Sequence, residues 1–122
     1  VKFLLIMHVN QATMAALTDE ERDQIMNGHQ AFMDALTESG EMIITQALAD
    51  PSNSVVVKTD GDSQVVTDGP YIEAKEFMGG FYLVECENKE RAVELAKQIP
   101  DTSFEGFGVE VRPVMFSAGL EM

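Results

Sequence analysis

Two segments, Lys2 to Val9 (KFLLIMHV) and Phe81 to Glu87 (FYLVECE), have strand-like length and are apolar on both faces that a strand presents. In the first, Phe3, Leu5 and Met7 alternate with Leu4, Ile6 and His8; in the second, Phe81 and Leu83 alternate with Tyr82 and Val84. Such strands belong inside a sheet with both faces covered. A chain of 122 residues, 45% of them apolar, has enough material for one core and few covering layers.

The covering elements can be read from their caps and periodicity. Thr18-Asp19-Glu20-Glu21 has the form of a capping box and predicts a helix start. Ile25, His29, Phe32 and Leu36 follow on one stripe with Met33 beside it, until Gly40 offers a stop. Asn88 predicts a second helix start, with Ala92, Val93, Leu95, Ala96 and Ile99 on its inner side and Pro100 ending it. Between the helices, EMIITQALAD suits a strand, although so short a run also admits a helix. Two Val-rich runs around Asp60-Gly61 predict a hairpin over Val55 to Thr59 and Gln64 to Thr67. A last strand, GVEVRPV, alternates Val109 and Val111 against Glu110 and Arg112.

This order predicts a single α+β domain over residues 1–122, a ferredoxin-like sheet with two helices on one face. Two helices cannot cover both faces of the sheet. A second copy packed on the open face through a two-fold axis is the simplest cover, so the expected assembly is a homodimer forming a dimeric α/β barrel.

Charge and motifs exclude several functions. Eight Lys and Arg against twenty-one Asp and Glu leave a net charge of -13, which repels phosphate backbones and anionic membrane surfaces. No nucleic acid or membrane partner is expected. The lone Cys86 cannot form an internal disulfide, and its strand-like surroundings suggest a buried thiol. No apolar run reaches the roughly 18 residues that span a bilayer, and the amino-terminal segment lacks a basic region and cleavage site, so a cytoplasmic location is expected. Metal-ligand spacings, a phosphate-binding loop and a Gly-x-Ser-x-Gly turn are all missing from the sequence, so neither metal nor cofactor is expected.

Chemistry centres on two residues. Asp68, in VVTDGPYIEAKEFMGG, ends a strand and precedes Gly69 and Pro70, which would hold its carboxylate on a stiff turn. The alternative is a plain turn residue. His29 sits on the apolar stripe of the first helix and points toward the sheet, where it could move a proton or simply pack. Gly28 implies close approach of a backbone or a ligand, because glycine inside a helix costs about 1 kcal/mol relative to alanine. His8, at the end of the first strand, is a secondary candidate. Glu73, Lys75 and Glu76 line a polar connection with room for one helical turn, and Glu110 with Arg112 would form a weak surface pair.

Thr67-Asp68-Gly69-Pro70-Tyr71, then Glu73-x-Lys75-Glu76, Gly79-Gly80-Phe81-Tyr82 and Val109-Glu110-Val111-Arg112-Pro113 closely resemble the YCII-related family, in its DGPF-domain branch. The resemblance implies a ferredoxin-like fold assembled as a dimeric α/β barrel. It also implies that His29 and Asp68 form an active-site pair, with Tyr71 where the branch has Phe and His8 where it often has Tyr. Most relatives have no assigned reaction, and many are encoded beside extracytoplasmic-function sigma factors. The expected function is therefore binding of a small organic molecule, with cofactor-independent proton transfer of an isomerase or lyase type by His29 and Asp68. Tyr71, His8 and Gly28 would serve as binding residues. The alternative is a ligand-sensing or regulatory module without turnover.

Overall fold

Three side chains start the helices. Asn10 accepts the backbone N–H of Thr13, Thr18 and Glu21 exchange reciprocal bonds of 2.9 and 3.1 Å, and Asn88 accepts the N–H of Arg91. The computed structural model describes residues 1–71 and 74–119. In chain order its elements are β1 (Lys2–Asn10), α1 (Gln11–Ala16), α2 (Asp19–Ser39), β2 (Met42–Ala47), β3 (Val55–Asp60), β4 (Ser63–Asp68), β5 (Glu76–Glu85), α3 (Lys89–Lys97) and β6 (Phe107–Pro113). Short 3-10 turns occupy Pro51–Asn53 and Pro100–Ser103. Glu73 lies outside the described residues; of its neighbours in the polar connection, Lys75 precedes β5 and Glu76 begins it.

Among the described residues the fold is mixed α+β with antiparallel sheets and three helices. β1 and β5 are the inner strands of a four-stranded sheet ordered β2-β5-β1-β6, where two-sided apolar strands belong. Phe3, Leu5, Met7, Tyr82 and Val84 pack with Phe32 and Leu36 of α2 and with Ala92, Leu95 and Ala96 of α3. Gly40 ends α2 at a φ of +76°, its N–H reaching back to the carbonyls of Leu36 and Thr37. Cys86 is buried, which pushes its thiol pKa up. No helix among the described residues is long and apolar enough to cross a membrane.

Three details depart from the sequence expectation or extend it. The segment after β1 is not merely a polar connection but contains α1, which is too short for periodicity to show in its sequence. β3 and β4 form a separate two-stranded sheet rather than joining the main one. Gly79 and Gly80 do not just lead into the strand but lie within β5, where pairing shifts from Met7↔Gly80 to His8↔Met78 and leaves Gly79 as the extra residue of a bulge. A Cβ at Gly80 would stand 2.6 Å from the Gln46 carbonyl oxygen, so the close approach of β2 to β5 requires glycine there.

Candidate active site

His29 is on the buried stripe of α2, one turn before Phe32, and its ring lies over the sheet face that carries Tyr82. The two rings are nearly parallel, with centroids 5.8 Å apart, while Phe32 meets Tyr82 edge-on at 4.9 Å. Both imidazole nitrogens are engaged. Nδ1 is 2.7 Å from the Tyr82 hydroxyl, and Nε2 is 2.8 Å from Oδ1 of Asp101. A carboxylate can only accept, so Nε2 carries hydrogen and donates to Asp101. Tyr82 then donates to Nδ1 of the neutral ring and accepts from Nδ1 of the imidazolium. The hydrogen-bonded row therefore holds the ring in either charge state.

Asp101 is buried, with 5% of its surface exposed. It occupies the 3-10 turn after α3, which Thr102 fixes by donating its hydroxyl to the Ile99 carbonyl at 2.8 Å. Gly28 explains why that turn reaches His29. A Cβ at Gly28 would come 2.8 Å from Cβ of Pro100, so the absent side chain is what lets α2 seat against the residue before Asp101. The close neighbour that Gly28 admits in this structure is the Pro100 ring.

Burial pushes the Tyr82 phenol up to about 12, with Thr45 opposing the rise and the charge of Asp101 adding to it. At neutral pH it is a protonated donor. Because the unfolded phenol ionises near about pH 10, the folded chain binds the proton more tightly between about 10 and 12. Stability contributed by the neutral phenol is complete below that window and falls as pH rises through it. Tyr82→Phe is expected to remove this alkaline loss of stability, and to abolish the late absorbance step at 295 nm expected of the folded wild type at about pH 12.

His29, Tyr82 and Asp101 border a cavity of about 400 Å³ between α2, β1, β2 and β5. Its remaining walls are chiefly methionine and aliphatic side chains, with Thr45 and Gln46 at the β2 edge. Among the described residues, no group of three or more His, Cys, Asp and Glu side chains is placed to hold a metal ion.

The other sequence candidates lie elsewhere. Asp68 does not orient His29 in this structure: it ends β4 opposite Val55, exposed, and both nitrogens of His29 are taken by other partners. Gly69 donates to the Ser54 carbonyl at 2.7 Å, which carries the β3–β4 pairing one residue past Asp68. Tyr71 is 71% exposed, with Nζ of Lys58 5.8 Å from its ring centroid. His8 points to the opposite sheet face, where Nε2 meets Oε1 of Glu110 at 2.8 Å. Glu110 also accepts from Arg112, so the expected surface pair becomes a three-residue row, and the His8 bond leads in holding the Glu110 carboxyl below the usual range. His8 and Tyr71 border a different depression beside Pro70 and Met78. Asp101 and the Tyr82 hydroxyl are the partners of His29 that sequence reasoning missed.

Comparison with known proteins gives a family and no assigned chemistry. The model of the YCII-related domain matches residues 1–116. An uncharacterized protein of Rhizobium meliloti is 23% identical over 112 residues, which cover 92% of this chain and 90% of that protein.

Proposed function

The chain belongs to the YCII-related domain family, and we propose that it is a cofactor-independent proton-transfer protein acting on a small organic molecule, with keto–enol interconversion as its reaction. The observation that carries this reading is the row Asp101, His29, Tyr82 at the wall of an apolar cavity. In the enolising direction a ligand carbonyl oxygen takes the Tyr82 proton, and Tyr82 takes one from Nδ1 of the His29 imidazolium. The ligand α-carbon loses its proton to water at the cavity mouth. The reverse sequence returns the imidazolium, whose charge the Asp101 carboxylate stabilises.

Tyr82 is the group that touches the ligand, His29 is the proton reservoir and Asp101 sets the ring. The residues first paired by motif thus separate, and Asp68 lies outside the relay. The test is deuterium incorporation at the α-carbon of neutral cyclic ketones in D2O, followed by proton NMR. Wild type is expected to exchange the ketone at least about 100-fold faster than His29→Gln. Equal rates for the two would remove the proposed function.

The sheet is read as ferredoxin-like and as half of a dimeric α/β barrel. Support comes from the face opposite α2 and α3, which carries Ile6 and, half-buried, Leu4, Ile44, Phe81 and Leu83. An apolar strip of this kind on a chain of such charge suits a second copy of the same face. Light scattering is expected to give twice the chain mass for the wild type, and the single-chain mass for Phe81→Glu. A monomeric wild type at micromolar concentration would refute the dimer.

A further inference from the structure

We infer that the cavity beside His29 selects an uncharged ring compound, specifically a cyclic ketone with a mainly hydrocarbon body, over anionic or cationic molecules of the same shape. The inference rests on the proton-transfer reading for which end of the cavity meets the carbonyl; the charge selection comes from the lining. Met7, Met14, Met26 and Met33, joined by Val9 and Ile25, form the apolar part of the wall. No lysine or arginine is among the lining residues, so a carboxylate or phosphate would enter without a cation and within a chain of net charge -13. Among the described residues the one carboxylate in the lining is Asp101, and it already accepts the His29 N–H. An ammonium group would have to displace the imidazole or face thioethers.

Size and polarity narrow the choice further. A dry cavity of about 150 Å³ accommodates benzene, so about 400 Å³ accommodates one substituted ring or two fused ones. Methionine adapts to flat apolar surfaces, and its sulfur makes favourable contacts with aromatic edges. Tyr82 and Thr45 face each other across paired strands and, with Gln46, give the cavity one polar edge, where the Thr45 hydroxyl already donates to the Phe81 carbonyl and Tyr82 is the donor nearest His29. A ketone oxygen at that edge accepts the Tyr82 hydroxyl when Nδ1 of the imidazolium donates to Tyr82, while the ligand ring lies against the methionines and brings no charge of its own.

The experiment uses the full chain carrying 13C-methyl methionine, assigned by single Met→Leu variants. It is titrated with 2-tetralone, with the carboxylate of the same skeleton and with 2-aminotetralin, an ammonium at neutral pH. The ketone is expected to shift the methyls of Met7, Met14, Met26 and Met33 saturably, to leave the fully exposed Met115 unmoved, and to bind about tenfold or more tighter than either charged analogue. Binding of either analogue as tight as the ketone, or shifts confined to other methionines, or no saturable shift, would overturn the inference. Deuterium exchange of 2-tetralone separates the two ideas. Selective binding with exchange no faster than in His29→Gln would uphold the ligand class and defeat the proton-transfer reading.

Discussion

Asp101→Asn is expected to slow ketone exchange by about 100-fold or more and to cost about 1–3 kcal/mol of stability. The carboxylate is buried and takes the Nε2 hydrogen at 2.8 Å, so its charge acts on the imidazole with little screening. Asparagine keeps the shape and loses the charge. Its amide can offer an oxygen, which leaves the imidazolium unstabilised, or a nitrogen, which forces the hydrogen of the neutral ring onto Nδ1. In that second tautomer Nδ1 no longer accepts from Tyr82, and the relay is broken at its other end. Urea denaturation measures the stability term, and the NMR exchange rate measures the chemistry. Wild-type exchange in a folded Asp101→Asn variant would show that Asp101 does not set the ring.

Gly28→Ala is expected to destabilise the protein although alanine is the better helix former. The intrinsic gain is about 1 kcal/mol. Against it stands the Pro100 ring, whose Cβ and Cγ would lie 2.8 and 2.9 Å from the new methyl. A proline ring cannot swing away as a lysine tail can, so α2 or the Pro100–Ser103 turn has to move, and such overpacking costs about 1–3 kcal/mol. Either movement draws Asp101 from His29. The variant should therefore lose exchange activity more than its stability loss alone would cause, and Gly28→Ser should do the same. An alanine variant more stable than wild type with full exchange would show that the turn yields freely.

The elements with local signals were legible in the sequence. Thr18 and Glu21, Asn88, Gly40 and the valines flanking Asp60-Gly61 each act within a few residues, and all perform the expected task. His29 was placed by periodicity, because a stripe shared with Phe32 and Leu36 has one direction to face. Asp101 had no such signal. It follows Pro100 in a run of ordinary turn residues, and its partner is 72 positions away. Tyr82 read as an apolar filler of a strand, since its hydroxyl matters only once α2 is laid across that face. Asp68 shows the converse: a strand-end carboxylate on a rigid turn was visible, but nothing local indicates which sheet the strand joins. β4 pairs with β3 alone, and Asp68 goes with it.

The most direct measurement is a long-range 15N–1H correlation spectrum of the imidazole rings in wild type, Asp101→Asn and Asp68→Asn at neutral pH. The expected wild-type result is a hydrogen fixed on Nε2 of His29 and protected from solvent by its bond to Asp101. That signal should vanish or move to Nδ1 in Asp101→Asn and stay unchanged in Asp68→Asn. A His29 ring that ignores the loss of the Asp101 charge and responds to loss of the Asp68 charge would contradict the site described here.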